Sequence, residues 1–379
     1  MDGLKVKRKN NIYREITIPY IFNIYKQVKS NTKNKKKLYI FDSYLGINIV
    51  DIYNTLKNKN YKQNSYNIFM IKEPKYRIVM SQNIKDKVIN HVMGNLLIKA
   101  LEPSLISTNI ATRKGKGTHY GIKYLKKYLN ELKQKELYAL KFDISKYFYS
   151  INHNILKKRL SKKIKDKTFL HMLFGIIDST DYNVNKEIKL LKEKEIQSLK
   201  NNKQKIFEVQ RIPLYKKGYG LPIGNLTSQI MAIYYLNDLD HFIKENLKVK
   251  YIRYMDDGVL LSNDKNYLKY CLVEIKKIIN KHDLQLNNKT KIINVNKEGI
   301  DFLGFHFYIF NNKLVMKVRN KTKKKYKRKI RLIKNGLIDG KFIIPSYQGH
   351  FKWGNCYNLY KFDIIKNTRI IPKEGENKQ

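Results

Sequence analysis

The stretch YIRYMDDGVLL at residues 251–261 places two neighbouring carboxylates inside an otherwise apolar run of strand-forming residues. Neighbouring like charges repel and partly buried carboxylates lose hydration, so Asp256 and Asp257 lower stability unless a partner offsets these costs. The pattern predicts a β-hairpin over residues 250–262 with the two aspartates at its bend. An aspartate pair by itself also fits an ordinary surface turn, because turns favour aspartate.

A third aspartate has similar surroundings. Asp143 directly follows the apolar run YALKF, which predicts a buried strand ending beside it. Carboxylates at two strand ends can hold two divalent cations about 4 Å apart, one activating a hydroxyl and one neutralising a triphosphate. Mg²⁺ is the expected ion because it prefers oxygen ligands and phosphates, and Mn²⁺ can take its place. The sequence therefore predicts that Asp143, Asp256 and Asp257 converge on one metal site.

The charge of the chain indicates the kind of partner. Lysine and arginine number 78 against 31 acidic residues, which gives a net charge of +47 over 379 residues. A fold with this much self-repulsion is typical of a protein that works against a polyanion, and its binding should weaken steeply as salt rises. Nucleic acid is the expected partner, and an acidic membrane surface is the alternative.

Three features predict a cytoplasmic protein that does not span a membrane. The two cysteines, Cys271 and Cys356, are too few for a zinc site or a disulfide framework and fit buried thiols in a reducing compartment. No apolar run approaches the length of a membrane span, and the N-terminal MDGLKVKRKNN lacks the apolar core of a signal peptide.

Hydrophobic periodicity predicts an α+β fold, with strands around Asp143 and Asp256 and helices flanking them. The charged stretch at 185–205 fits either a solvated helix or a mobile insert. The other predicted elements are a strand pair at 68–80, a helix at 82–101, a basic loop and helix at 111–129, an apolar helix at 168–177, a turn and long helix at 220–243, an amphipathic helix at 267–287, a strand pair at 299–310, and a basic helix from 319.

Several of these segments match one protein family in order. Five of them resemble the palm motifs of reverse transcriptases: KFDISKYFYSINH (141–153), GLPIGNLTSQ (220–229), RYMDDGVLL (253–261), LQLNNKTKI (284–292) and FLGFHFY (302–308). Upstream, YRIVMSQNIKDKVINHVM (76–93) and TRKGKGTHYGI (112–122) are similar to finger motifs of the bacterial, group II intron-like branch, and SYQGHFKWGNCYNL (346–359) resembles the end of its thumb.

The resemblance implies a right-hand polymerase that copies template RNA into cDNA by two-metal nucleotidyl transfer. The implied division is an N-terminal extension at 1–70, fingers at 71–135, a first palm segment at 136–160, an insertion between fingers and palm at 161–215, the rest of the palm at 216–312 and a basic helical thumb at 313–379.

Within the branch, the sequence looks most like the error-prone enzymes of diversity-generating retroelements. That implies template RNA, a primer or cDNA strand and dNTPs as partners, together with a small basic accessory oligomer. Two alternatives stay open: a defence-associated or retron-type reverse transcriptase, and a basic RNA-binding scaffold without catalysis, against which the intact aspartates argue.

Family positions imply roles around the metal site. Asp143 and Asp256 match the metal ligands, Asp257 a weaker ligand, and Ile144 a main-chain carbonyl ligand. Lys289 resembles the lysine proposed to protonate departing pyrophosphate, although a plain surface lysine fits the residue equally well.

Other family positions imply contacts to the incoming nucleotide. Phe148 matches the steric gate against a ribose 2′-hydroxyl, and a core aromatic is its alternative. Arg77, with Lys72 or Lys75, matches the grip on the triphosphate.

The GLPIG segment implies a tight turn beside the nascent base pair. Pro222 and Gly224 form the turn, whose backbone can approach a base pair closely, and Gln229 near the start of the next helix either caps it or faces the template strand; all three are candidate nucleotide-site residues. Ile223 stands where many members of the family carry glutamine. Glutamine can hydrogen-bond the nucleotide and isoleucine offers only apolar contact, so this difference predicts weaker checking of the nascent pair. A neutral substitution at a packed turn is the alternative.

The remaining candidates are assigned to the template and primer. A thumb helix would follow the duplex backbone by shape and charge, and a solvated tail is the alternative for this basic segment. At the primer-grip position the alternative is a buried strand pair, which is compatible with contact to a primer. The candidates are Arg113, Lys114 and Lys116 in the glycine-rich loop, Phe302, Leu303 and Gly304 at the primer-grip position, and Lys323, Lys324, Lys325, Lys327 and Arg328 in the basic helix.

Overall fold

A central antiparallel sheet carries the three aspartates, and helices cover both of its faces. The computed structural model describes residues 11–73, 75–180, 184–354 and 356. Its strands are β1 Asn67–Ile71, β2 Arg77–Ser81, β3 Tyr138–Phe142, β4 Lys250–Tyr254, β5 Asp257–Ser262, β6 Lys291–Asn294, β7 Ile300–Phe302, β8 Phe305–Phe310 and β9 Lys313–Val318.

The helices form groups that precede, separate and follow the strands along the chain. They are α1 Ile18–Ser30, α2 Lys35–Asp42, α3 Leu45–Lys57, α4 Ile84–Leu101, α5 Thr118–Leu132, α6 Tyr147–Ser150, α7 His153–Lys163, α8 Lys167–Ile177, α9 Val184–Ser198, α10 Lys203–Gln210, α11 Leu226–Tyr235, α12 Asn237–His241, α13 Lys265–Lys281, α14 Asn320–Lys334 and α15 Ile343–Phe351. The α+β class predicted from the sequence is confirmed.

The central sheet has the strand order β4-β5-β3-β6, with every neighbouring pair antiparallel. Successive side chains of a strand point to opposite faces, and here both faces are buried. Leu140 and Leu260 pack into the larger core with α13, whereas Ala139 and Leu261 pack into a second core with α5. Burial on both faces explains why β3 and β5 read as continuous apolar runs.

The N-terminal helices pack onto α4. Helix α4 is buried around most of its circumference, as expected for a helix with apolar residues on every side, and it contacts α1 and α11. The β1–β2 hairpin beside it is the strand pair predicted at 68–80.

The charged stretch after residue 184 is helical and not a mobile insert. Val184 and Ile188 of α9 and Val209 near the end of α10 are buried against Ile68 and Ile78 of the β1–β2 hairpin. These few apolar positions dock the two helices, while most of their charged side chains face solvent.

The C-terminal lobe consists of the three-stranded sheet β7-β8-β9 with α14 and α15. Tyr326 and Ile330 of α14 point into the second core with Phe351, so Tyr326 anchors the basic helix rather than standing among its exposed cations. Cys271 and Cys356 are buried free thiols, as predicted. None of the helices in the described ranges is both long and apolar enough to cross a bilayer.

Candidate active site

Strand pairing brings Asp143 and Asp256 together. Phe142, the last residue of β3, pairs with Gly258 of β5, and Tyr254 pairs with Asp257 across the two-residue bend of the β4–β5 hairpin. Asp143 therefore leaves β3 beside that bend, and its side chain lies within hydrogen-bonding reach of Asp256. The predicted hairpin is confirmed, with Asp256 in the bend and Asp257 at the first position of β5.

A glycine makes this pairing possible. An added Cβ at Gly258 would lie 2.3 Å from the ring of Phe142, which is fully buried directly before Asp143. Any side chain at position 258 would therefore push apart the two strands that carry the aspartates.

A buried ion pair between Arg253 and Asp240 stabilises the bend of the β4–β5 hairpin. The Arg253 guanidinium donates to both carboxylate oxygens of Asp240, at 2.7 and 2.5 Å, and neither side chain has exposed surface. Arg253 also donates to the carbonyl oxygen of Met255, whose φ of 56° lies in the left-handed region that non-glycine residues rarely occupy. The pair therefore holds the strained residue that precedes Asp256.

The surrounding network leaves this pair little freedom. Tyr251 donates to Asp240 at 3.0 Å, and the Asn109 amide donates to the same carboxylate at 3.2 Å. The Arg253 backbone is bonded on both sides, donating to Thr108 at 3.0 Å and accepting from Ile110 at 3.0 Å. A fully bonded buried pair has one arrangement, so the bend is held in one position.

The electrostatics of the three aspartates are those of crowded carboxylates. Burial, with repulsion from Asp143 as the second cause, raises the pKa of Asp256 to about 7. Burial also raises the pKa of Asp257, although Lys141 opposes the shift with its Nζ 3.2 Å from Asp257 Oδ2. A bound cation would offset this repulsion.

The donor chemistry fits a divalent cation, but the three aspartates are not arranged alike. Within the described ranges, no three His, Cys, Asp or Glu side chains stand around one point as a metal cage. Asp143 and Asp256 meet, whereas Asp257 is paired with Lys141. Asp257 Oδ1 is buried with no hydrogen-bond partner among the described residues, and such an oxygen is a ready cation ligand.

The backbone after β3 presents one further oxygen. Asn287 donates to the carbonyl of Asp143 at 2.7 Å, and Ser145 donates to the carbonyl of Gln285 at 2.8 Å. Neither bond uses the carbonyl of Ile144, the residue between them.

Lys289 lies in the exposed turn after Asn287, and Thr290 of the same turn accepts from the Asp143 amide at 3.5 Å. The turn that carries Lys289 therefore packs against the backbone of Asp143.

The GLPIG turn joins the residues proposed to meet the nucleotide. Leu221 donates to the carbonyl of Phe148 at 2.8 Å, and Ile223 accepts from Met80 of β2 at 2.8 Å. Gly224 has φ of 132°, and an added Cβ there would lie 2.6 Å from the Met80 carbonyl oxygen. These bonds bring together β2, residues 147–150 and the turn, with the ring of Phe148 and the aliphatic side chain of Ile223 only half-buried.

The other nucleotide-site candidates differ in exposure. Arg77 is exposed at the start of β2. Burial raises the pKa of the Tyr149 phenol to about 12, and the nearby Arg77 guanidinium opposes that shift. Lys75 is exposed near the hairpin tip, while Lys72 pairs with the buried carboxylate of Glu195 at 2.7 Å. Lys72 is thereby tied to α9, whereas Arg77 and Lys75 are both exposed.

Two more candidates for nucleotide binding, Pro222 and Gln229, are buried or half-buried in the protein. Pro222 is buried, so it shapes the turn and offers no exposed ring. The helix after the turn, α11, begins at Leu226, three residues before Gln229. The half-buried Gln229 accepts from Thr112 at 3.3 Å.

Arg113 is not available to nucleic acid, which corrects the sequence-based assignment. Its side chain is buried, pairs with Glu102 at 2.6 Å, and donates to the carbonyls of Ile106 and Asn109 at 2.6 Å each. Lys116 is half-buried and donates to Ser107 at 2.9 Å, whereas Lys114 of the same loop is exposed. The loop is built around Arg113, and Lys114 is its outward cation.

Phe302 needs a similar correction. Its ring is fully buried in the second core, so only the turn that follows it can reach a primer strand. Leu303 and Gly304 both have positive φ, 49° and 88°, and form the half-buried turn between β7 and β8.

The basic helix α14 touches the β1–β2 hairpin. Glu73, at the hairpin tip, pairs with Lys325 at 2.6 Å and with Arg328 at 3.3 Å. Lys324 and Lys327 are exposed and Lys323 is half-exposed on the same helix. Sequence reasoning missed this contact because nothing in the local pattern links residue 73 to residue 328.

Sequence reasoning also missed the Arg253–Asp240 pair. A signal for Arg253 was present: it is the one charged residue in the run YIRYM, beside residues that alternate into a buried sheet. No such signal marked Asp240, which looked like one more polar position on a helix.

Comparison with known proteins adds a family assignment. The model of the family described as Reverse transcriptase (RNA-dependent DNA polymerase) matches residues 57–307, more than half of the chain. A search of curated proteins found no match. Among solved structures, the chain is similar to apo telomerase from Candida tropicalis, truncated from its C-terminal domain, with 14% identity and a TM-score of 0.44. That match covers 66% of this chain and 54% of the telomerase chain, so the chain spans about half of that protein.

Proposed function

The chain belongs to the reverse transcriptase (RNA-dependent DNA polymerase) family, and we propose that its own reaction is the copying of an RNA template into DNA where Asp143 and Asp256 meet. The observation that carries this proposal is geometric. The pairing of β3 with β5 sets the two carboxylates against each other, and Phe148, five residues after Asp143, accepts a backbone hydrogen bond from Leu221 in the turn at 220–224.

The aspartates are proposed to hold two Mg²⁺ ions, for which Mn²⁺ can substitute. Bound there, the ions would lower the pKa of the primer 3′-hydroxyl and neutralise charge on the triphosphate. Asp143 and Asp256 are the principal ligands, with Asp257 Oδ1 and the Ile144 carbonyl as further oxygens. Lys289, in the turn that packs against the Asp143 backbone, is the proposed proton donor to pyrophosphate.

The nucleotide is proposed to lie between β2 and the GLPIG turn. Arg77 would receive the triphosphate through its planar guanidinium. The half-buried ring of Phe148 would stand against the 2′ position of the sugar and exclude ribonucleotides. Ile223 would contact the nascent pair by shape alone, which supports error-prone synthesis.

The template–primer duplex is proposed to contact the C-terminal lobe. The turn at 303–304 presents backbone to the primer, and Lys323, Lys324 and Lys327 meet phosphates without reading sequence. In the right-hand description, the proposed fingers are 71–135 with the insertion at 161–215, the proposed palm is 136–160 with 216–312, and the proposed thumb begins at 313.

A finer assignment rests on the motifs. GLPIGNLTSQ with Ile223 supports an enzyme of a diversity-generating retroelement, working in the cytoplasm with a small basic accessory oligomer. A defence-associated or retron-type enzyme would keep the same chemistry and differ in template. Sequencing of the neighbouring DNA decides between them, because a near-duplicate repeat that differs only at adenines is expected of the first.

Primer extension tests the activity itself. Asp256→Asn on poly-rA/oligo-dT with Mg²⁺ should lose about a thousandfold or more in rate, because the bend loses a charged ligand. Asp339→Asn, at an exposed aspartate between α14 and α15, is the control and should extend normally. Undiminished extension by Asp256→Asn would show that these carboxylates do not take part in the reaction.

A further inference from the structure

A small cavity next to the turn at 303–304 is lined mainly by aromatic rings. It has a volume of about 340 Å³, at the lower end for small-molecule pockets. It lies where the start of α5, the start of β8 and the end of α15 meet. We call it the aromatic slot and define it by His119, Phe305, His350 and Trp353.

Packing around glycines fixes the inner wall of the aromatic slot. An added Cβ at Gly121 would lie 2.6 Å from Leu303 Cδ1, so this glycine lets the 303–304 turn dock closely on α5. The His350 ring stacks on Phe305 at 4.5 Å and lies over Gly304, where an added Cβ would come within 3.1 Å. The slot is thus continuous with the turn proposed to contact the primer.

Trp353 forms the outer wall. Its ring meets the His119 ring edge to face, with centroids 3.7 Å apart, yet the residue remains 46% exposed. An exposed indole keeps a large apolar surface in water, which favours a ligand with a flat face of its own.

The charges around the aromatic slot favour a nucleic-acid strand as the source of that ligand. No carboxylate of the described residues lines the slot, and the exposed Lys352 and Lys114 flank it along the chain. Aromatic rings next to cations bind single strands, because each base can stack while its phosphate is neutralised. Bases inside a duplex are already stacked on their neighbours and cannot enter.

From this arrangement we infer that the aromatic slot binds an unpaired nucleobase of a strand that passes the 303–304 turn, stacked on Trp353. The inference rests on the proposed nucleic-acid function but not on catalysis. It adds a contact to a base to a lobe whose lysines can contact only phosphates.

The fluorescence of the full chain can test this directly, because Trp353 is its single tryptophan. The probes are a short oligothymidylate and an abasic strand with the same number of phosphates. With binding followed separately by anisotropy, oligothymidylate should quench Trp353 emission by about half and the abasic strand should leave it unchanged. Equal quenching by both strands, or no quenching at saturating oligothymidylate, would overturn the inference.

Variants separate stacking from folding. Trp353→Ala should lower the affinity for oligothymidylate by about tenfold, and Trp353→Phe should keep most of it. Affinity for the abasic strand should stay the same in both. Phe342→Ala, at an aromatic residue that is 80% exposed but outside the slot, is the matched control and should change neither. Equal losses on both strands in Trp353→Ala would reject base stacking.

Primer extension on the same preparations keeps the two proposals apart. Extension without base-dependent quenching would overturn the slot and leave the polymerase proposal standing. Base-dependent quenching without extension would overturn the polymerase proposal and leave the aromatic slot standing.

Discussion

Arg253 with Asp240 and Arg328 with Glu73 are both guanidinium–carboxylate pairs, at opposite extremes of exposure. The first pair has no exposed side-chain surface, whereas the side chains of the second are 63% and 57% exposed. Removing one partner of a buried pair costs about 3–5 kcal/mol because the other charge is left unpaired, while an exposed pair contributes about 0–1 kcal/mol. The same kind of ion pair therefore holds the bend before Asp256 in place when it is buried, and makes an exchangeable contact between the β1–β2 hairpin and α14 when it is exposed.

This difference matches what each region is proposed to do. The bend that presents Asp256 has to stay in place, and the Arg253 network gives it one arrangement. The contact between Glu73 and α14 occupies Lys325 and Arg328, two residues proposed to bind phosphates, so a duplex has to displace it. A weak pair makes that displacement easy.

The largest expected effect comes from the buried pair. Asp240→Asn should lower the free energy of unfolding by about 3–5 kcal/mol, because Arg253 keeps its charge without a carboxylate. Denaturant unfolding measures this loss. Asp283→Asn, at an exposed aspartate after α13, is the control for loss of a single carboxylate and should cost far less.

A double variant separates support of the bend from stability. Arg253→Met with Asp240→Leu replaces the pair by apolar residues, which is often nearly neutral for stability. Primer extension should still fall by about tenfold or more, since Met255 loses the donor that holds its carbonyl. A stable double variant with normal kcat would show that the pair does not position Asp256.

Phe148, which is half-buried, should give an intermediate effect confined to selectivity. Phe148→Ala should raise ribonucleotide incorporation relative to deoxynucleotide by about tenfold or more, because the ring no longer meets the 2′-hydroxyl. Phe148→Tyr keeps the ring and should keep the discrimination. The ratio of kcat/KM for the two nucleotides is the measurement, and an unchanged ratio in Phe148→Ala would reject the gate.

Sequence reasoning reached the parts of this molecule that local pattern determines. Alternation and apolar runs predicted the hairpin at 250–262, the strand before Asp143 and the α+β class. The motif order indicated the family to which the chain belongs. These features follow from side-chain periodicity and from residues whose neighbours in sequence are also neighbours in space.

What sequence reasoning did not reach depends on distant partners. Arg113 looked like a surface cation and is buried, because Glu102 and two carbonyls satisfy its donors. The need for glycine at position 258 comes from the ring of Phe142 on another strand, which leaves no room for a side chain there. The resemblance implied a weaker role for Asp257 than for Asp256, but it did not indicate that Lys141 of β3 is the partner of Asp257. In each case the deciding contact is set by tertiary packing.

A substitution at Ile223 should have a smaller effect than Phe148→Ala, and the effect should be on fidelity. Ile223→Gln should lower misincorporation opposite template adenine by about fivefold, the worth of one added hydrogen bond to the nucleotide. Ile223→Leu is the control that keeps an apolar contact. Sequencing of cDNA from a defined template gives the error spectrum, and the same spectrum in all three proteins would mean that Ile223 does not set fidelity.

The smallest expected effect concerns the exposed contact between Glu73 and α14. Glu73→Gln should raise affinity for a template–primer duplex by less than about fivefold, because Lys325 and Arg328 no longer need to leave a carboxylate. The gain should shrink as salt rises, since salt already screens an exposed pair. Glu298→Gln is a matched control: Glu298 is also 57% exposed and pairs with Lys291 at 3.4 Å on the central sheet. Anisotropy titrations over a salt series measure both variants. Equal gains in the two would assign the effect to net charge alone, whereas a gain confined to Glu73→Gln would show that the contact between the hairpin and α14 competes with the duplex.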